Sequence, residues 1–151
     1  TSTGALTAAS ADNAEFTIRQ LRNLHELGIR IAIDDFGTGY SSLSYLKSFP
    51  FNKIKIDKSF ISDMASNRGD QAVVNACCML AQAMAITTTA EGVENVEQLR
   101  AVRSSGCREV QGYLFSRPVP LSEVNATIKS VSALARSFAE EAEPALMSDH
   151  P

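Results

Sequence analysis

Tryptophan is absent from the 151 residues, and histidine, cysteine and proline are scarce, at 2, 3 and 5 residues respectively. Cys77 and Cys78 are adjacent and Cys107 stands alone, so the chain has neither a disulfide framework nor the CxxC spacing of a zinc site. His25 and His150 are too isolated to indicate a catalytic triad or a zinc site. This cysteine usage suits a reducing compartment.

Long apolar runs and an excess of positive charge are also missing. No run reaches the roughly 18 residues of a membrane span, and no basic and apolar start indicates a secretory signal. The 14 Lys and Arg residues are outnumbered by 17 Asp and Glu residues, so no positive field favours a nucleic-acid polymer or an anionic membrane as partner. The length and the 44% of hydrophobic residues indicate one globular domain.

Strand and helix patterns alternate along the chain. Asp12 is a predicted N-cap of a first helix that ends at Gly28. Short apolar segments predict strands at 29–33, 53–56, 86–90 and around 109–110. Helical spacing predicts further helices at 41–47, from 73 to 84, at 96–104 and from about Ser122 to a frayed end near Arg136. Strands separated by helices imply right-handed crossovers and a parallel sheet of the α/β class.

Polar residues follow each predicted strand at its carboxyl end. They are Asp34 with Asp35, Lys55 with Asp57, Glu91 with Glu94, and Gln111. In a parallel sheet or barrel these ends meet on one face, where such folds place their chemistry. Carboxylates with a lysine and an amide suit a hard divalent cation and a phosphate ester. The pattern therefore predicts metal-assisted phosphoester hydrolysis.

Structural explanations compete with this prediction at several positions. Asp57 is better explained as a helix cap than as a site residue. Asp34 and Asp35 point to opposite faces of a regular strand, so they share a site only if the strand breaks there, which Gly37 and Gly39 allow. The ammonium of Lys55 in an apolar strand needs an anionic partner, which is either a structural ion pair or a phosphate.

Four ordered blocks of sequence resemble one known family. They are 34–43 (DDFGTGYSSL), 55–61 (KIDKSFI), 90–94 (AEGVE) and 111–115 (QGYLF) with Pro118. Over residues 14–124 the chain is similar to the C-terminal half of the EAL domain, a bacterial cyclic di-GMP phosphodiesterase with a TIM-like (β/α) barrel. The resemblance implies a partial barrel of about four parallel strands with flanking helices. It also implies a cytoplasmic protein or the cytoplasmic end of a longer sensor.

The resemblance implies specific roles in hydrolysis of cyclic di-GMP to the linear dinucleotide. Asp34 would bind both ions of a Mg²⁺ or Mn²⁺ pair, and Asp35 would bind the second ion. Lys55 would orient the attacking water. Glu91 would bind metal-held water or act as the base, and Gln111 would hold the same network of water and metal.

By the same resemblance, a loop from Asp35 to about Ser44 links the metal site to a dimer interface. Gly37, Thr38 and Gly39 would position this loop, and Glu94 would brace it.

The chain departs from the family pattern in its first part. The Glu-Ala-Leu motif, an Asn-bearing block and a Glu-x-Thr-Glu block are absent, so we expect the isolated chain to be inactive. The alternative is a degenerate, non-catalytic module that senses cyclic di-GMP or binds a protein. A complete barrel takes about 250 residues. We therefore expect an apolar inner face and free strand edges covered by a second copy or by a missing upstream segment.

These expectations divide the chain into three parts. Residues 1–11 form a flexible or remnant segment. Residues 12–131 form the C-terminal half of an EAL domain. Residues 132–151 form a helix end and a disordered tail.

Overall fold

A computed structural model describes residues 11–38, 49 and 51–140, and all structural statements below concern these residues. Four strands form one parallel sheet in the order of the chain: β1 (Ala32–Phe36), β2 (Lys53–Ile56), β3 (Thr87–Ala90) and β4 (Glu109–Val110). The helices are α1 (Ala11–Glu26), α2 (Lys58–Ser62), α3 (Arg68–Ala83), α4 (Val96–Ser104) and α5 (Val124–Glu140), which follows a 3₁₀ turn at Leu121–Glu123. The predicted parallel sheet with flanking helices is confirmed, and β1 and β4 are its edges in the described part.

The ends of the helices follow their sequence signals with two exceptions. At the end of α1, Gly28 takes a φ of +81°, and its N–H and that of Ile29 donate to the carbonyls of His25 and Leu24, which is a Schellman cap. The predicted Asp12 cap is wrong, because α1 begins one residue earlier, at Ala11. α5 continues to Glu140, four residues beyond the end predicted near Arg136. The predicted helix at 41–47 lies outside the described residues, as do 1–10 and 141–151.

β1 begins three residues later than predicted. The segment before it is bound to Asn52, whose side chain accepts the Ile31 N–H at 2.8 Å and whose own N–H donates to the Ile31 carbonyl at 2.9 Å. The strand continues through both aspartates to Phe36, which is buried and pairs with Ile56 of β2. This extension was not predicted, because strand prediction depends on apolar residues and the two aspartates are polar.

The core lies between one face of the sheet and helices α2, α3 and α4. Its fully buried side chains include Ile54 and Ile56 of β2, Ile61 of α2, Val74 of α3 and Val102 of α4. Because side chains alternate along a strand, the residues between these isoleucines lie on the opposite, open face.

The open face of the sheet is polar, so the expectation of an apolar inner face is wrong. Lys53 and Lys55 alternate with the buried isoleucines, and the register pairs them with Thr87 and Thr89 of β3. Thr89 in turn pairs with Glu109 of β4. This face carries the polar groups described below.

Candidate metal site and cleft

A bulge in β1 brings its two aspartates to the same site. Ile33 pairs with Ile54 and Phe36 pairs with Ile56, so Asp34 and Asp35 both lie opposite one residue of β2. Asp35 takes a φ of +50°, which breaks the alternation of the strand. One oxygen each of Asp34, Asp35 and Glu91 therefore lies within 4.8 Å of the others.

A tight turn after β1 fixes Asp35. The N–H and the hydroxyl of Thr38 both donate to the Asp35 carbonyl, at 3.3 and 2.9 Å. Gly37 has a φ of +105°, and a Cβ there would lie 2.8 Å from Cε2 of Phe60. The turn therefore needs glycine at position 37, for its backbone conformation and for its space. Gly39 lies outside the described residues.

Lys55 lies between two of the three carboxylates. Its Nζ is 2.7 Å from Oδ1 of Asp34 and 2.5 Å from Oε1 of Glu91. The hydrogen bond to Asp34, followed by that to Glu91, raises the pKa of Lys55 above its ordinary value. The expected anionic partner of Lys55 is thus present, and it is a pair of carboxylates.

Gln111 joins this network from the end of β4. Its Nε2 donates to Oε1 of Glu91 at 2.7 Å, and its backbone N–H donates to the Ala90 carbonyl at 2.9 Å. The Glu91 side chain is 16% exposed, whereas that of Asp34 is 65% exposed. Glu91 is therefore held at the enclosed end of the site, and Asp34 lies at its open end.

Two other acidic residues predicted near the site line the cleft beside it, without a hydrogen bond or ion pair to these described groups. Asp57 caps α2, because its carboxylate accepts the Ser59 N–H at 2.9 Å. Hydrogen bonding by the Ser59 side chain, followed by that from its N–H, lowers the pKa of Asp57. The cap interpretation of Asp57 is confirmed. The Glu94 carboxylate lines the cleft described next and forms no hydrogen bond or ion pair with a described residue. Glu94 is predicted to brace the loop that starts at Asp35, and this loop is described only as far as Thr38, so that role stays a prediction.

A cleft of about 620 Å³ opens beside the carboxylates. Asp35, Glu91 and Gln111 line one part of it, and Tyr113 and Arg117 line another. The Arg117 guanidinium lies over the Tyr113 ring, 4.4 Å from its centroid. Sequence reasoning missed Arg117. The sequence did contain one signal for it: Arg117 lies four residues after Tyr113, in the segment that follows the predicted site residue Gln111.

The chemistry of the donor set fits a hard divalent cation. Three carboxylates within 4.8 Å of one another, balanced by the single ammonium of Lys55, leave a net charge of about −2 when all are ionised. Oxygen ligands of this kind are those that Mg²⁺, Mn²⁺ and Ca²⁺ prefer. Asp34, Asp35 and Glu91 are therefore the residues that would hold such an ion.

Comparison with known proteins shows to which proteins the chain is related. The sequence profile of the EAL domain matches residues 5–118. The cyclic di-GMP phosphodiesterase NbdA of Pseudomonas aeruginosa is 44% identical over 118 residues, which are 78% of this chain and 15% of NbdA. The bifunctional diguanylate cyclase/cyclic di-GMP phosphodiesterase MucR of the same species is 40% identical over 116 residues, which are 77% of this chain and 17% of MucR. The chain thus spans less than a fifth of these relatives.

Solved structures give the same relationship. The EAL enzyme Bd1971 in its cGMP-bound form superposes with a TM-score of 0.74 at 42% identity, over 78% of this chain and 31% of that one. The manganese/cyclic di-GMP complex of BlrP1 from Klebsiella pneumoniae superposes with a TM-score of 0.63 at 42% identity, over 66% of this chain and 26% of that one. The four-stranded sheet corresponds to an unclosed part of a TIM-like barrel. The chain belongs to the EAL domain family.

Proposed function

We propose that this chain forms the C-terminal half of a metal-dependent cyclic di-GMP phosphodiesterase site, which produces the linear dinucleotide. The observation that carries the proposal is the β1 bulge, which brings Asp34 and Asp35 within 4.8 Å of Glu91 on the open face of the sheet. A regular strand would separate these two carboxylates. The family membership and the cyclic di-GMP complexes of related proteins support the choice of substrate.

In this proposal Asp34, Asp35 and Glu91 hold Mg²⁺ or Mn²⁺. BlrP1 forms cyclic di-GMP complexes with manganese and with calcium, which supports a divalent cation without selecting magnesium. A bound cation of this kind activates water at neutral pH and stabilises charge on a phosphoryl oxygen.

Lys55 and Gln111 orient the Glu91 carboxylate. Both donate to the same oxygen, Oε1, which leaves Oε2 either to bind the cation or to accept a proton from water beside it. The shared bonds also fix the carboxylate in one orientation, which favours a productive position for that water. Lys55 carries the positive charge beside the site and orients the water together with Glu91.

The turn after β1 and Glu94 serve as positioning groups in this proposal. Thr38 holds the Asp35 carbonyl, and Gly37 gives the turn the backbone conformation and the space beside Phe60 that it needs. Glu94, at the rim of the cleft, braces the loop that follows.

The Tyr113–Arg117 pair gives the cleft a surface suited to a nucleotide. The Tyr113 side chain is 51% exposed, and the guanidinium above it adds a positive charge. Aromatic rings and guanidinium planes stack on nucleobases, and arginine also binds phosphate. We place one half of cyclic di-GMP along this pair, with a phosphate directed to the carboxylates.

We further propose that the chain alone does not turn over substrate. The described residues provide three metal-binding carboxylates and one sheet with two free edges, whereas two-metal hydrolysis needs more ligands. A second copy of the chain or a preceding segment would complete the barrel, and the protein would act in the cytoplasm. None of the described helices is long and apolar enough to cross a membrane.

Calorimetric titration with cyclic di-GMP tests the proposal. We expect the 151-residue chain to bind the dinucleotide in the presence of Ca²⁺ or Mn²⁺ and not in the presence of a chelator. Asp35→Asn and Glu91→Gln should abolish binding, and the exposed Asp63→Asn is the matched control that should keep it. Absence of binding by the wild-type chain with Mn²⁺ would overturn the proposal. Appearance of the linear dinucleotide would overturn only the inactivity of the chain alone.

A further inference from the structure

A second polar group lies on the open face of the sheet, one step toward the amino ends of the strands. We call it the lower layer and define it as Lys53 of β2, Thr89 of β3 and Glu109 of β4. The Lys53 ammonium forms a close ion pair with Oε2 of Glu109, and the Thr89 hydroxyl donates to the same oxygen at 2.9 Å. We call Asp34, Asp35, Lys55, Glu91 and Gln111 the upper layer.

The lower layer spans three strands. Adjacent strands are about 4.8 Å apart, so Lys53 reaches roughly 10 Å across β3 to meet a carboxylate on β4. The side chains of Lys53 and Glu109 remain 30% and 45% exposed. The hydrogen bond from Lys53 holds the pKa of Glu109 below its ordinary value, with smaller contributions from Thr89 and Arg30, so the Glu109 carboxylate is ionised at neutral pH.

The two layers differ in charge. The lower layer contains one lysine and one carboxylate and is neutral. The site above it combines one lysine with three carboxylates, so it keeps a net charge of about −2. Lys53 and Lys55 lie two residues apart on the same strand face, which separates their Cα atoms by about 6.6 Å. A lysine side chain is long enough to cover that distance.

We propose that Glu109 is a positioning residue for the metal site, because it binds Lys53 and thereby keeps a second ammonium away from Asp34 and Glu91. Lys55 already pairs with both of these carboxylates. A second lysine on them would compensate one of the two remaining negative charges that attract a divalent cation. This inference rests on the proposed metal site.

The size of the effect follows from Coulomb's law. A unit charge about 7 Å from a divalent ion changes the ion's affinity by about 7-fold at the dielectric constant of water and by more in the lower dielectric of a protein surface. Glu109→Gln removes the negative charge and releases Lys53, so both changes weaken cation binding. Arg30, which also acts on Glu109, adds to the positive charge left behind.

Titration of the chain with Mn²⁺ by calorimetry at low ionic strength tests this inference. We expect Glu109→Gln to bind Mn²⁺ at least about 7-fold more weakly than wild type and Lys53→Met to bind it more tightly by a similar factor. The double variant, which is neutral again, should return to the wild-type affinity.

A purely structural role for the pair gives a different pattern. Both single variants would then unfold at lower temperature while their Mn²⁺ affinities equal that of wild type, and this result would overturn the inference. If Glu109→Gln does not fold, Lys53→Met alone decides, because unchanged affinity in that variant contradicts the inference. Failure of the wild-type chain to bind Mn²⁺ is a separate result, which overturns the proposed metal site itself.

Discussion

Substitution of Gly112 by alanine should destabilise the protein strongly, because position 112 touches the backbone of a buried residue. A Cβ there would lie 2.1 Å from the carbonyl oxygen of Val93 and 2.3 Å from its nitrogen. Val93 is fully buried, so a shift of its backbone disturbs the packing of the core. The clash costs about 1–3 kcal/mol as overpacking. Displacing Val93 also breaks its hydrogen bonds with Gln111 and Leu114, which contribute about 0.5–1.5 kcal/mol each.

We therefore expect Gly112→Ala to lose roughly 2–6 kcal/mol of unfolding free energy. Gly106→Ala is the matched control, because Gly106 has a φ of +82° and a Cβ there would have no atom within 4 Å. It should lose only the conformational cost, about 1–2 kcal/mol. Urea unfolding followed by circular dichroism measures both losses, since the chain has no tryptophan for fluorescence. A smaller loss in Gly112→Ala than in Gly106→Ala would refute the reasoning.

Three further predictions concern the cap, the lysine and the cleft. Asp57→Ala should cost about 0.5–2 kcal/mol in urea unfolding and Asp57→Asn much less, because asparagine also caps helices; equal losses would contradict the cap. Because the pKa of Lys55 is raised in the folded protein, its contribution to the free energy of unfolding is complete at pH values below its ordinary pKa of 10.5. That contribution is lost as the pH rises through the higher pKa of the folded state. Wild type should thus lose more stability than Lys55→Met in alkaline urea titrations, and parallel curves would count against the ion pairs. Tyr113→Leu should weaken cyclic di-GMP binding by about 5- to 100-fold in calorimetry while Mn²⁺ affinity is unchanged; unaltered dinucleotide binding would exclude stacking on this ring.

Much of the architecture was predictable from the sequence. The β-branched segments at 53–56 and 86–90 and the helical spacing between them led to the parallel sheet. The placement of polar residues after successive strands brought Lys55, Glu91 and Gln111 together, as the structure does. These features depend on local periodicity, which the sequence displays directly.

Other features depend on contacts between distant segments and were not predictable in the same way. The β1 bulge follows from the pairing of Ile33 and Phe36 with two residues of β2 that are themselves separated by only one residue. The sequence showed that Asp34 and Asp35 needed a break in the strand, but not that Asp35 itself would take a positive φ. The alternation in 53–56 did contain a signal for the polar open face, because Lys53 and Lys55 share one side of the strand.

Mn²⁺ affinity of the Asp34→Asn and Asp35→Asn variants tests the central claim most directly, namely that the bulge makes these consecutive residues ligands of one cation. Calorimetric titration of the folded chains gives the affinities, and Asp63→Asn provides the control outside the site. The account predicts that each site variant binds Mn²⁺ at least about ten-fold more weakly than wild type, because each removes a charged oxygen ligand. Wild-type affinity in either Asp34→Asn or Asp35→Asn would show that the two carboxylates do not share a site.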